Sequence, residues 1–256
     1  MAEVELTREG AVLTLTLNRP DVLNAFDSAM HQAFAAGLRE ARAPEVRAVV
    51  VTGAGRGFCV GQDITEFQQA SGDIGGHLRA NYHPNVLALR ALEKPVIAAV
   101  NGPAAGAGLS LACACDMRLA SDAATLVPAF IGLGLVPDSG GSFFLSRLLG
   151  PDRAFEWMTS NRRLGAAEAL EWGLVSEVVE GDALAARAAE VAARYASAPT
   201  RGIGMTKRLF DAAQTSTLDD QLEREAQLQA AATQTEDFTE GVAAFLEKRP
   251  PEFRGR

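Results

Sequence analysis

Two continuous apolar runs constrain this chain more than any other feature: "AVVVTG" over 48–53 and "VIAAV" over 96–100. Each reads as a buried strand, and each breaks directly into a glycine-rich turn. Helix and strand patterns alternate around them. "AVLTLTL" over 11–17 alternates apolar and polar residues as a strand does, and Asn18-Arg19-Pro20 ends it. "SAMHQAFAAGLREAR" places Met30, Phe34 and Leu38 at helical spacing, and "ATLVPAF" reads as a short strand. The order β-α-β-loop-α-β-loop-α-β predicts a layered α/β domain with parallel pairing.

The composition changes after Gly150. "PDRAFEWMTS" and "GAAEALEWG" read as helices and "LVSEVVE" as a short strand. From Ala183 to Glu247 the chain is rich in Ala, Leu, Glu and Arg and reads as helical. "ASAPTRG" interrupts that pattern near residue 196. The expected organisation is therefore a core over 1–195 and a C-terminal helical region over 196–256.

With 256 residues, 48% of them hydrophobic, the chain can bury a sizeable core. Its formal net charge is −8 and no Lys/Arg run stands out. A nucleic-acid or membrane-surface role is not expected, and an anionic ligand would need a local basic pocket. Cys59, Cys113 and Cys115 form no CxxC, and His31, His77 and His83 are scattered, so no zinc spacing arises and no metal is expected. Reduced thiols and the charged start "MAEVELTREG", which lacks an apolar h-region, predict a cytoplasmic protein. No apolar run is long enough to span a bilayer as a helix.

The two glycine turns, "GRGFCVGQD" (55–63) and "NGPAAGAGLSLACACD" (101–116), are where chemistry enters. Glycine allows close backbone approach, and a helix N-terminus offers unpaired N–H groups with partial positive charge. Two such turns at neighbouring strand ends could aim two N–H groups at one oxygen. That is an oxyanion hole, in which one donor is worth about 3–4 kcal/mol. Either turn alone reads more readily as a plain connection. A nucleotide loop does not fit, because neither GxxxxGK[ST] nor an ordered GxGxxG is present. A third glycine turn, "GLGLVPDSGG" (132–141), holds Asp138, the single acid between Ala123 and Gly150. Two readings stand side by side: Asp138 caps the helix "SGGSFFLSRLL", or it is a buried base.

Taken together and in order, "LNRPDVLNAF", "GRGFCVGQDI", "KPVIAAVNGPAAGAGLSLACACD", "GLGLVPDSGGSFFLSRLLG", "GAAEALEWGLVSEVV" and "GVAAFLEKRPPEF" resemble the enoyl-CoA hydratase/isomerase (crotonase) superfamily over essentially the whole chain. The resemblance implies a crotonase-like spiral of ββα turns with a C-terminal helical trimerisation region. It implies an acyl-CoA thioester whose carbonyl is held by the backbone N–H groups of Gln62 and Ala107, within substrate loops that include Gly61, Asp63, Gly106 and Gly108. Relatives usually carry Gly where this chain has Ala107. True hydratases carry two Glu residues, at the places held here by Ser110 and Phe130, so both are absent and efficient hydration is not expected.

The acid at Asp138 resembles the branch of the family that rearranges ring-epoxidised phenylacetyl thioesters of phenylacetate catabolism. There, one carboxylate moves a proton while the hole stabilises the enolate. Burial among Leu135, Val136 and Phe residues would raise its pKa. The alternatives are a 3,2-trans-enoyl-CoA isomerase, a hydratase, or a non-catalytic acyl-CoA-binding partner. By the same resemblance Arg19, Leu23 and Ala25 touch CoA, largely through backbone and apolar contacts. Phe245 and Lys248 reach the CoA of a neighbouring subunit, and either could instead be a plain exposed helix end. Phe130, Phe143 and Phe144 are core or acyl-pocket wall. Ser110 packs or touches substrate, Asp63 orders its loop, Asp116 anchors a helix, and Cys59 lacks a histidine to activate it. No cofactor is expected, since CoA arrives as part of the substrate. Expected partners are further copies of the chain, as a homotrimer or hexamer, and other phenylacetate-pathway enzymes.

Overall fold

The charged N-terminus, which carries no strand signal of its own, becomes an edge strand in the computed structural model, which describes residues 2–69 and 73–256. Val4–Glu9 (β1) pairs antiparallel with Val12–Leu17 (β2), leaving only Val4 of β1 buried. Helix α1 (Ser28–Glu40) follows. Asp27 caps it, its carboxylate accepting from Met30 N–H at 2.8 Å. Met30, Phe34 and Leu38 form its fully buried stripe. Each such side chain contributes about 1.5–3 kcal/mol by leaving water.

Strand β3 (Ala48–Gly53) pairs parallel with β2, with Val12 opposite Ala48. Three short helical segments, α2 (Ile64–Gln69), α3 (Ile74–His77) and α4 (His83–Arg90), then cross toward β4 (Val96–Val100), with a π-helical turn over Leu78–Tyr82 joining the last two. The alternation of strands and crossovers continues through β5 (Ala104–Ala105), α5 (Ala107–Ala114), β6 (Met117–Ser121) and β7 (Thr125–Val127). Every residue of α5 is buried, so this helix is apolar all round because it runs through the core. Beyond it lie α6 (Gly141–Leu149), α7 (Pro151–Ser160), β8 (Leu164–Gly165), α8 (Ala166–Glu171), β9 (Glu177–Val179) and α9 (Leu184–Ala196). The large sheet runs β1-β2-β3-β4-β6-β9, parallel from β2 onward, and β5-β7-β8 form a small second sheet.

Two cores flank the large sheet. On one face Val50, Ile97 and Leu119 pack against Ala188, Val191 and Ala192 of α9. The other face holds the main core, including Leu15, Val51, Ala98, Phe34 and Leu109. Because β3 and β4 are parallel and in register, Thr52 opposite Ala99, their C-terminal ends lie side by side. The two glycine turns therefore leave the sheet as neighbours.

The helical pattern breaks after Ala196. Helices α10 (Thr200–Ala213), α11 (Leu218–Ala232) and α12 (Glu236–Glu247) complete the chain. The last residues fold back on the core. Buried Asp237 accepts from Arg254 N–H at 2.6 Å and Gly255 N–H at 2.8 Å, and Arg47 donates to the Phe253 and Ala198 carbonyls and to Thr200 Oγ1. Among the described residues, no helix is long and apolar enough to cross a membrane.

Candidate active site

The turn after β3 is stitched to the turn after β4 by backbone hydrogen bonds and by the Asn101 side chain, which donates to the Gly55 and Gly57 carbonyls. Ala105 N–H donates to the Cys59 carbonyl at 2.9 Å, and Phe58 and Cys59 N–H donate to the Pro103 carbonyl. A Cβ on Gly108 would lie 2.1 Å from the Cys59 oxygen, so only glycine permits this approach. Gly61, at φ +94°, passes against the start of α5, where a Cβ would stand 3.1 Å from both Ala107 N and Ala105 O.

On its other side the Gly61–Asp63 segment bridges Phe26. Phe26 N–H donates to Gly61 O at 2.7 Å and Asp63 N–H to Phe26 O at 2.8 Å. Alternation along an extended segment turns the Gln62 N–H the opposite way. Ala107 is the first residue of α5, and its cap, Gly106, has no side chain to satisfy it. Among the described residues, neither the Gln62 N–H nor the Ala107 N–H meets an acceptor. The structure thus brings the two sequence-predicted donors to adjoining turns and leaves both without an intramolecular partner.

Asp138 stands in the loop before α6 and does not cap it. The N-cap is Gly140, in the left-handed region, with no side-chain cap bond. What Asp138 gives the helix is its carbonyl, which accepts from Gly141 N–H at 2.8 Å and from Ser110 Oγ at 3.0 Å. Its carboxylate is left over, and Asp138 Oδ1 is buried with no hydrogen-bond partner among the described residues. Burial pushes this acid above the ordinary carboxylate value, partly offset by the nearby Ser139 hydroxyl, His83 and His77. The Ser139 hydroxyl is close but not aligned, since its Oγ forms no hydrogen bond.

The expected cause of that burial needs correcting. Val136 is 78% exposed and Leu135 faces solvent as well. The Asp138 charge is near enough to Tyr82 to add to the rise of the phenol's pKa, after burial and Cys59. Ser110 is fully buried and bonds to the Gly106 and Asp138 carbonyls, so it ties α5 to the Asp138 loop. Phe130 is buried, its ring edge near Gly106. Phe143 is half exposed, and Phe144 packs on the core.

Arg19 is an internal clamp. It pairs with Asp63 at 3.0 Å and Asp27 at 3.1 Å and donates to Ala25 O. Asp63 orders its loop as expected, accepting from Thr65 N–H at 3.0 Å. Burial pushes its carboxyl up, but the Arg19 hydrogen bond and backbone donors outweigh that and hold it below the usual value. Leu23 adopts φ +51° beside the buried Ala25. Asp116 anchors as expected, receiving Arg90, Lys207 and Val96 N–H. Cys59 is wholly buried, its thiol pushed up to about 12, which removes it as a nucleophile. Phe245, 83% exposed, lines an apolar groove with Phe238, Val242 and Phe253, and Lys248 ends α12. Neither is brought to Asp138 within one chain.

A polar cluster behind the hole has no motif to announce it in the sequence. Tyr82 donates from its hydroxyl to Gln62 Oε1 at 2.8 Å, and His77 Nε2 donates to the same oxygen at 3.1 Å. Asn81 donates to His77 Nδ1. Burial pushes the Tyr82 phenol well above its ordinary value, so it stays a donor. The side chain of Gln62 is thereby fixed while its N–H is left free.

A family model described as enoyl-CoA hydratase/isomerase matches residues 7–256. The 1,2-epoxyphenylacetyl-CoA isomerase of Escherichia coli (strain K12) is 43% identical, the match covering 97% of each chain. A probable enoyl-CoA hydratase of Rhodobacter capsulatus is 42% identical over 94% of each. The crystal structure of an enoyl-CoA hydratase from Bacillus anthracis superposes with a TM-score of 0.95 at 32% identity, covering 99% of this chain and all of that one. The architecture is the crotonase-like α/β fold that the motifs imply.

Proposed function

The chain belongs to the enoyl-CoA hydratase/isomerase family, whose enzymes act on acyl-CoA thioesters, and from that premise we propose that it is an isomerase using Asp138 as its single proton carrier. The substrate we propose is ring-1,2-epoxyphenylacetyl-CoA, rearranged to its oxepin thioester. The likeness to the Escherichia coli isomerase of that name supports the substrate.

The observation that carries the reading is the Asp138 carboxylate, half-buried with its Oδ1 enclosed and unpartnered among the described residues, on a loop tied by Ser110 to the helix that begins at Ala107. In this reading the thioester oxygen accepts from the Gln62 and Ala107 N–H groups. Asp138 takes a proton from the carbon beside the thioester, and the charge passes to that oxygen, where the two donors stabilise it. The carbon–carbon bond shared by the epoxide and the six-membered ring breaks as the ring double bonds shift, which gives the seven-membered oxepin, and the protonated Asp138 returns the proton to the ring carbon gamma to the thioester. Atoms are conserved, and one group serves as base and then acid. Its raised pKa suits both halves, since a weaker acid is a stronger base.

Hydration is disfavoured by what fills the two absent glutamate places. The Ser110 hydroxyl is spent on backbone carbonyls, and Phe130 supplies only an apolar ring. The reading includes assembly into trimers or hexamers, in which the exposed Phe245 and Lys248 serve a neighbouring copy. It also includes a cytoplasmic setting among phenylacetate-pathway enzymes, and no cofactor beyond the CoA of the substrate.

The test is turnover of 1,2-epoxyphenylacetyl-CoA, a 3-enoyl-CoA and a 2-enoyl-CoA, followed by product mass and proton exchange. Rearrangement of the epoxide faster than of the 3-enoyl thioester supports the reading. A reversed order makes the enzyme a 3,2-trans-enoyl-CoA isomerase, and hydration of the 2-enoyl ester at about 1 s⁻¹ or more removes the isomerase assignment.

A further inference from the structure

A small cavity lies beside the hole, lined by Ala107 and Ser139 and walled by Phe26, Phe34, Val86 and Leu111. Its volume is about 20 Å³. One water-sized group needs roughly 10–15 Å³, so a single oxygen fits and a ring does not. The walls are mostly apolar, yet two of the lining residues carry a buried polar atom with no partner among the described residues, His31 Nε2 and Ser139 Oγ. Both residues are more than nine-tenths buried, His31 at 3% and Ser139 at 4% exposed.

The proton on His31 can be located. Asn85 Nδ2 lies 3.2 Å from the His31 carbonyl oxygen, which can only accept, so the amide presents its NH₂ there. The same NH₂ lies 3.3 Å from His31 Nδ1, which must therefore accept. Burial, aided by His77, lowers the imidazole to about 4, so it is neutral at pH 7. A neutral ring that accepts at Nδ1 carries its hydrogen on Nε2. Tyr82 packs edge-on at 4.2 Å between ring centroids and Phe26 at 4.8 Å, which fixes the ring's direction. One lining residue thus carries a rigid, uncharged N–H donor with no acceptor among the described residues, and another carries a hydroxyl that can donate or accept.

We propose that His31 is a specificity residue, its Nε2–H donating to one oxygen carried on the ring of the acyl group, with Ser139 as the second partner of that oxygen. An acyl group without such an oxygen leaves the donor unsatisfied or leaves a trapped water in its place. The inference rests on the acyl-CoA site assigned above. It does not need Asp138 to perform chemistry.

The test is equilibrium binding to the intact protein of phenylacetyl-CoA and its 2-, 3- and 4-hydroxy derivatives, which differ by one ring oxygen and need not be isomerised to be measured. The best hydroxylated isomer binds about tenfold tighter than phenylacetyl-CoA, the ratio one net hydrogen bond supports. His31→Phe erases that preference, and His31→Gln, which keeps an N–H at a similar reach, restores it. In the unaltered protein the His31 Nε2–H proton resonance moves downfield with the preferred isomer and not with phenylacetyl-CoA, a readout that does not depend on any variant folding. Equal binding of all four esters, a preference that survives His31→Phe, or an unmoved resonance overturns the proposal. If epoxide turnover fails while the binding preference holds, the isomerase reading falls and this one stands.

Discussion

Ser110 Oγ donates to the carbonyl of Asp138 at 3.0 Å, across 28 residues of sequence. By the family resemblance Ser110 stands where a hydratase carries an acid, and here it holds the loop of Asp138 instead. Gly141 N–H shares the same carbonyl, and a Cβ on Gly141 would come within 2.6 Å of Ser110 Oγ, so the loop is held tightly against α5. Ser110→Ala keeps the fold at a cost of about 1 kcal/mol. It lowers kcat several-fold while the KM for the thioester stays near its original value. Steady-state kinetics beside thermal unfolding checks this, and a change in KM alone would place Ser110 in substrate binding instead.

Asp138 works against the stability of the fold at neutral pH. Its folded pKa is raised, so the folded state holds the proton more tightly than the unfolded chain does. The associated stability is fully present below the unfolded value of 3.8 and is lost as pH rises through the higher folded value. Asp138→Asn, which is always neutral, should therefore unfold at a higher temperature than the parent protein at pH 7. The advantage should shrink as pH falls toward 4 (about the unfolded value). Tm measured across that range decides it.

The glycine at 61 lets its segment pass close to the Ala107 nitrogen. Gly61→Ala puts a methyl 3.1 Å from that nitrogen and forces a side chain onto φ +94°. The backbone strain alone costs about 1–3 kcal/mol. If Ala107 N–H is a donor to the thioester oxygen, as proposed, crowding it lowers kcat by roughly 10²–10³. A variant that loses stability but turns over normally would show that the Ala107 N–H faces something other than the substrate.

The C-terminal tail is held by Asp237, which is 4% exposed and receives two backbone N–H groups. Asp237→Ala strands those donors and costs about 1–3 kcal/mol. It also frees residues 250–256, so limited proteolysis cuts there before the rest of the chain is attacked.

Much of the fold was legible because each signal was local. The strands over 48–53 and 96–100, the helix at α1 and the break after Ala196 all follow from periodicity and glycine within a short window. Strand β1 was not legible, since five of its six residues face solvent and its pairing with β2 supplies the order. The two glycine turns could be singled out because glycine marks close approach of backbones, whereas Gln62 and Ala107 were named as donors only through the family resemblance. Asp138 could be named because a lone acid among Leu, Val and Gly is unusual. Its surroundings could not: Leu135 and Val136 precede it in sequence but are exposed, and Tyr82, near enough to feel its charge, lies over fifty residues away in the chain. His31, His77, Tyr82 and Ser139 belong to the same class. Nothing in their own neighbourhoods distinguishes them from ordinary helix and turn residues, and only tertiary packing gathers them around Gln62 and Ala107.

The account turns on one proton carrier, so the decisive measurement is rearrangement of 1,2-epoxyphenylacetyl-CoA by Asp138→Asn beside thioester binding by the same variant. The carboxamide should lower kcat by roughly 10²–10⁴, the usual contribution of a positioned acid–base group, with the dissociation constant of the thioester little changed. Turnover at the parent rate would contradict the account, because the proton would then be moving by another route.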